Sequence, residues 1–195
     1  MNMKELVLRT RSYRRFKEDH GFTLETLINL IDLARLSASG RNVQPLKFMP
    51  CHDRDWNARI FPELAWAGYL PDWDGPAPGE RPAAYIVVLG DRRLAKDFGV
   101  DPGIACQSIL LGATSLGLGG CIIGAVKRDR LKETLGLPEH LDILYVIALG
   151  RPVEEVRVVP VGEDGNIKYW RDEAGIHHVP KRKLEDVLVP APDQR

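Results

Sequence analysis

Cysteine is scarce in this chain of 195 residues: Cys51, Cys106 and Cys121 are the whole supply, with no CxxC pair and no regular spacing. That scarcity argues against a disulfide framework, a thiolate zinc site or an iron–sulfur cluster, and it fits a reducing compartment. Excess charge of either sign is missing too, because 27 Lys+Arg balance 27 Asp+Glu. With no global field to hold a polyanion, no nucleic-acid partner is expected, and any basic feature must be local. The opening residues, Met1-Asn2-Met3-Lys4-Glu5, lack the apolar stretch of a secretory signal and carry no lipidation motif, so a cytoplasmic address is expected. HExxH, GxSxG and P-loop motifs are absent. The five histidines show no metal spacing, and the adjacent pair His177 and His178 would point to opposite faces of a strand. No metal ligand and no catalytic acid, base or nucleophile is assigned.

Long apolar runs are nearly absent as well. The one candidate, residues 103–126, carries no charge, yet six of its 24 residues are glycine. Gly117-Leu118-Gly119-Gly120 would break any helix there, so the stretch reads as a buried helix, a glycine turn and a buried strand, and no membrane association is expected. The same glycines fail as a dinucleotide fingerprint, since Ile122 stands where a third glycine is required and the turn follows a helix instead of a strand.

What remains is the composition of a globular protein, 44% hydrophobic and 28% charged, read as a single domain over residues 1–195. Thr23 can cap a helix whose apolar positions fall at Leu24, Leu27, Ile28, Ile31, Ala34 and Ala38, with Leu30, Leu33 and Leu36 on the other side. A helix apolar on two faces needs two partners, one of which can be another subunit. Asp101 as N-cap, Pro102 in the first turn and Gly117 as stop predict a second helix. Shorter helices are expected over 56–67 with a break at Pro62, 92–98, 129–135 before Gly136, and 183–188. Strands are expected at 46–49, 84–89, 121–126 and 143–149. This order predicts an α+β fold with helices around one sheet. Residues 71–82, with four prolines and two glycines, form a loop that could serve as a lid. Residues 151–180 turn polar and read as an extended arm.

Three segments carry candidate chemistry. Residues 9–17 place Arg9, Arg11, Arg14, Arg15 and Lys17 around the hydroxyl of Ser12, and arginine forks match phosphate geometry. A second basic cluster, Lys181-Arg182-Lys183, lies near the other end of the chain. Between them, Ser37-Ala38-Ser39-Gly40-Arg41-Asn42-Val43-Gln44-Pro45 offers hydroxyls and amides suited to the polar edge of a heterocycle, and equally suited to an ordinary helix end.

Taken in order, Arg11-Ser12-Tyr13-Arg14-Arg15-Phe16, the 37–45 block, Gly117-Leu118-Gly119-Gly120-Cys121-Ile122-Ile123-Gly124, Ala148-Leu149-Gly150-Arg151-Pro152 and Pro180-Lys181-Arg182 resemble the signature blocks of the nitroreductase family. The resemblance runs over roughly residues 5–190. It implies a three-layer α/β/α sandwich around a mostly antiparallel sheet, and a homodimer with an exchanged C-terminal arm. It implies FMN as cofactor, NADH or NADPH as electron donor, and a small electron-poor acceptor such as a nitroaromatic or a quinone. Arg11, Lys181 and Arg182 would hold the FMN phosphate with help from Ser12, and Tyr13 and Arg15 belong to the same block. Arg14 would face the pyrimidine edge of the ring. Ser37, Ala38, Ser39, Asn42 and Gln44 would contact the ring and ribityl chain from the other subunit, and Ile122, Ile123 and Gly124 would lie along the ring. Thr10 stands where the family signature has arginine, which leaves the division of phosphate contacts among Arg9, Arg11 and Arg15 open. Reductive dehalogenation or a ferredoxin donor are alternatives within the family, and a non-enzymatic phosphate- or nucleic-acid-binding module is the alternative outside it.

Overall fold

A computed structural model describes residues 1–191. The chain divides into two compact units, Met1–Val153 and a second that begins at Glu154.

The first unit is built on five strands: β1 (Phe16–Lys17), β2 (Leu46–Cys51), β3 (Ala84–Asp91), β4 (Gly119–Ile123) and β5 (Leu141–Pro152). Every pairing is antiparallel. β3 lies between β2 and β5, and residues 146–149 of β5 pair with β3 on one edge and β4 on the other. All eight residues of β3 are buried, which is why its sequence shows an unbroken apolar run instead of alternation.

Side-chain parity sorts the sheet into two faces. Ala84, Ile86, Val88, Ile147 and Leu149 pack against α2 (Leu24–Arg35) and α4 (Asp101–Ser115). Tyr85, Val87, Leu89, Val146 and Ala148 pack on the other side with Ile60, Leu131 and Leu135, from α3 (Arg54–Ile60) and α5 (Arg128–Leu135). Each large aliphatic side chain taken from water here contributes about 1.5–3 kcal/mol. The expected helix–sheet–helix layering is therefore present, with helices on both faces of an antiparallel sheet.

Local chemistry sets the helix ends. Thr23 accepts from the Thr26 N–H and caps α2, as its sequence implies. The buried stripe of α2 is Leu27, Leu30 and Ala34, while Leu24 and Ile28 stay exposed, so the inward face is rotated from the predicted one. Both faces of this helix are apolar, and sequence periodicity alone cannot choose between them. α4 ends in a Schellman turn: Leu118 N–H donates to Ala113 O, Gly117 N–H donates to Thr114 O, and Gly117 takes φ +73°. Gly136, at φ +62°, ends α5 in the same left-handed region.

Three further sequence expectations fail. Asp101 is not the N-cap of α4: Val100 takes that position, and the Asp101 side chain is turned to another use. Residues 92–98 form turns, because the Asp91 carboxylate accepts from the Arg93 N–H and guanidinium, and the Phe98 ring fills the space beside Gly90. Residues 183–188 hold only a 3-10 turn, Glu185–Val187. A helix absent from the sequence expectations, α1 (Met3–Arg9), is closed by a reciprocal Asn2–Glu5 capping box.

The second unit carries a parallel pair, β6 (Val156–Pro160) with β8 (His177–Lys181), and β7 (Trp170–Arg171) antiparallel to β8. The arm region thus folds into strands of its own, aided by turns at Gly165 and Gly175, both at positive φ. Among the described residues no helix is long and apolar enough to cross a membrane.

Candidate functional site

The basic run after α1 is held at the edge of β4. Ser12 bridges to Gly120, and Tyr13 N–H donates to Gly120 O at 3.0 Å. The approach is close enough to require glycine: a Cβ on Gly119 would lie 2.6 Å from the Tyr13 ring, and one on Gly120 would lie 2.6 Å from Ala148 O. The first and third signature blocks are therefore one structural feature.

The five cations of this run have different surroundings. Arg15 makes a bidentate pair with Glu80, 2.6 Å from Nε and 2.5 Å from Nη2, and Glu80 belongs to the 71–82 loop. That loop is tied to the chain by Phe16 N–H donating to Glu80 O and Glu18 N–H donating to Gly79 O. Lys17 lies 3.8 Å from Asp19. Arg14 donates to Ser12 O at 3.2 Å, and Tyr13 donates its phenol to Arg9 O. Arg11 is half-buried, and it donates through Nη2 to Val7 O at 2.7 Å. Its Nε is buried with no hydrogen-bond partner among the described residues. Burial holds the Arg11 pKa below its ordinary value, as expected where a charge is partly removed from water. The hydroxyl-bearing Ser12 beside it is exposed. On β4, Ile122 is exposed between buried Cys121 and Ile123, and Gly124 follows it in the open.

The 37–45 block forms a tight loop leading into β2. Arg41, Asn42 and Gln44 have φ of 50°, 56° and 52°, left-handed values that residues with side chains adopt only when their surroundings impose them. Those surroundings come from α4. Ser37 Oγ lies 2.7 Å from Ser108 Oγ, Ser39 Oγ donates to Asp101 at 2.6 Å, and Gly40 N–H donates to Asp101 at 2.8 Å. A cleft of ≈ 340 Å³ opens here, lined by Ala38, Ser39, Gln44, Phe48, Asp101 and Ala105 among others. Asn42 and the Gln44 side chain face solvent.

Lys181 and Arg182 lie in the second unit, exposed at the end of β8 and just beyond it. A larger cleft of ≈ 620 Å³, walled by Lys17, Arg54, Phe61 and Arg81, contains none of the residues predicted for the cofactor. Sequence reasoning missed Asp101 and Glu80. An Asp-Pro pair before a helical run signals a cap, and nothing local signals that Asp101 serves a loop some sixty positions away.

A half-buried guanidinium with an unpartnered Nε and an exposed hydroxyl beside it are donors suited to a phosphate, while the hydroxyls and amides of the 37–45 loop form a separate polar cluster against α4. The nitroreductase family model matches residues 7–151 of the chain. The chain is 30% identical over 157 residues, 76% of its length and 85% of the relative's, to a provisionally named NADH dehydrogenase/NAD(P)H nitroreductase of Archaeoglobus fulgidus. A crystal structure from Parabacteroides distasonis that bears the same provisional name superposes with TM-score 0.65 at 26% identity, covering 80% of this chain and 90% of that one. The NADPH:FMN oxidoreductase of Vibrio harveyi, in complex with NAD+, superposes with TM-score 0.65 at 25% identity, covering 83% and 74%.

Proposed function

The chain belongs to the nitroreductase family, and from that membership we propose that it is an FMN-dependent oxidoreductase that takes electrons from NADH or NADPH and passes them to a small electron-poor acceptor, a nitroaromatic or a quinone. The observation that carries this reading is Arg11, a cation partly desolvated by the fold with a buried Nε that no described group satisfies. A phosphate supplies the missing partner, and a guanidinium is the side chain best matched to it.

When bound, FMN supplies the electron-transfer chemistry itself, and the protein supplies binding, orientation and electrostatics. Arg11 and Ser12 hold the phosphate, with Lys181 and Arg182 as further cations for it. Arg15, paired to Glu80, fixes the turn that carries them. Tyr13 sets the distance between that turn and β4 by packing on Gly119. Arg14 would lie at the pyrimidine edge of the ring and supply a positive charge there. Ile122 and Gly124, exposed at the end of β4, would supply the surface along the ring, with Ile123 able to contribute only its backbone because its side chain is buried in the core, and Ser37, Ala38, Ser39, Asn42 and Gln44 would supply the contacts to ring and ribityl chain. No protein acid or base is assigned.

The active species in this reading is a homodimer with its C-terminal arm exchanged. Apolar surface supports a second copy, though not the exchange of the arm: Leu24, Ile28 and Leu36 are 46%, 51% and 65% exposed on or just after α2, and α1 buries none of its residues. Anaerobic addition of NADH and NADPH separately to the FMN-loaded protein tests the assignment. At least one should bleach the flavin absorbance, and a nitroaromatic or quinone should restore it. Failure of both donors to bleach it would refute an NAD(P)H oxidoreductase.

A further inference from the structure

We infer that Asp101 is a positioning residue: its carboxylate latches the 39–44 loop in a left-handed conformation and so sets the affinity of the flavin-contacting segment. This inference rests on the FMN reading above. The carboxylate is 93% buried at the start of α4, where the helix dipole favours a negative charge. Each of its oxygens has a separate task. Oδ1 accepts from the Gly40 N–H at 2.8 Å, and Oδ2 accepts from the Ser39 hydroxyl at 2.6 Å. Ser39 Oγ in turn accepts from the Gln44 N–H at 2.9 Å. The chain of bonds Gln44, Ser39, Asp101, Gly40 closes the loop on itself.

Between the closing bonds lie Arg41 and Asn42, and Gln44 is itself one of the donors; all three have φ near +50°. A loop strained in this way holds one shape only while its surroundings over-determine it. One helical face supplies that restraint. Asp101, Ala105 and Ser108 are spaced four and three residues apart on α4, and Ser108 holds the other end of the segment through Ser37.

The assignment also redistributes roles within the segment. The Ser39 hydroxyl donates to Asp101 and accepts from Gln44, so it is committed to the latch. Arg41, Asn42 and the Gln44 side chain, whose Nε2 donates to Asn42 O at 3.3 Å, are the exposed polar groups of the segment. Ser39 is thus a second positioning residue.

The test compares Asp101→Ala, Ser39→Ala and the double variant in the full-length protein. Two readouts are taken: amide hydrogen exchange of the segment spanning residues 39–44, and FMN dissociation constants from titration of the flavin-stripped chain. The latch predicts that exchange in this segment rises about tenfold or more in each single variant and that FMN affinity falls about tenfold, because a preorganised loop becomes one that must be ordered on binding. The double variant should be less impaired than the product of the two single effects, since the Ser39–Asp101 bond is lost in both. Asp101→Asn, which keeps the acceptor for Gly40 but not the one for the Ser39 hydroxyl, should fall between. Ser39→Ala alters one atom of a partly exposed side chain, so it keeps the test open should Asp101→Ala fail to fold. Exchange and affinity within about twofold of the parent chain in Ser39→Ala, or effects of the two substitutions that multiply, would overturn the latch. So would faster exchange with unchanged FMN affinity. If the parent chain binds no FMN the proposed function fails, and the exchange data still decide whether Asp101 orders the loop.

Discussion

Replacing Arg11 with alanine separates binding from folding, because the structure assigns those two effects different sizes. The Arg11 guanidinium is half-buried, burial lowers its pKa, and its Nε has no partner among the described residues. Toward a phosphate, a charge-assisted hydrogen bond from such a group contributes about 1.5–3 kcal/mol, which at 1.4 kcal/mol per decade is about 10- to 150-fold in FMN dissociation constant. Toward the fold, the hydrogen bond lost among the described residues is the one to Val7 O, at 2.7 Å near the end of α1, a contribution of about 1 kcal/mol. Relief of a partly desolvated charge opposes that loss. The flavin-free variant should therefore melt within about 2–4 °C of the parent. Arg11→Lys, which keeps the charge and loses the fork, should bind FMN between the two. Added salt should weaken the parent chain more than the alanine variant. The assays are fluorescence titration of FMN into flavin-stripped protein and thermal unfolding of the same samples. An Arg11→Ala variant that binds FMN within about twofold of the parent, or that loses several kcal/mol of flavin-free stability, would show Arg11 to be a structural residue.

Two further predictions concern the frame around the site. In Gly120→Ala the new Cβ would lie 2.6 Å from Ala148 O and 2.7 Å from Leu110 Cδ2, and the first of these is backbone that cannot move aside; the expected loss is about 1–3 kcal/mol, read as a lower urea midpoint, and an unchanged midpoint would contradict the packing at β4. The Arg93 guanidinium and N–H hold the Asp91 carboxyl at about 2, below its ordinary 3.8. A depressed carboxylate stabilises the fold above its unfolded value, and that contribution is lost as pH falls through the folded one. Stability of the parent chain should therefore drop relative to Asp91→Asn as pH falls from 3.8 toward 2, and parallel urea curves over that window would count against the ion pair.

Much of the fold was legible because its signals are local. Thr23 before α2, Pro102 and Gly117 around α4, and Gly136 after α5 each impose their conformation through their own backbone or cap chemistry. The Asn2–Glu5 capping box carries the same kind of local signal for α1, a helix the sequence expectations did not include. The unbroken run of β3 was legible because both faces of that strand are covered. What escaped depends on partners distant in sequence. Asp101 in isolation looks like a helix cap, and only the tertiary fold delivers Ser39 and Gly40 to its carboxylate. Residues 92–98 have the composition of a helix, but Asp91 and the contact of Gly90 with Phe98 hold them in turns. The inward face of α2 could not be chosen from a helix apolar on two sides. In the candidate site, the order of the signature blocks pointed to the residues, whereas the difference between Arg11 and Arg15 emerged only when Glu80 was found on one and no described partner on the Nε of the other.

The central claim is that this chain is built to hold FMN, and the most direct measurement is the visible absorption spectrum of the purified protein, followed by heat release and identification of the chromophore. The account predicts bands near ~450 and ~370 nm and about one FMN per chain, with reconstitution by added FMN if the cofactor is lost in purification. A colourless chain that also refuses added FMN would contradict it, and would return Arg11 and the 37–45 loop to purely structural roles.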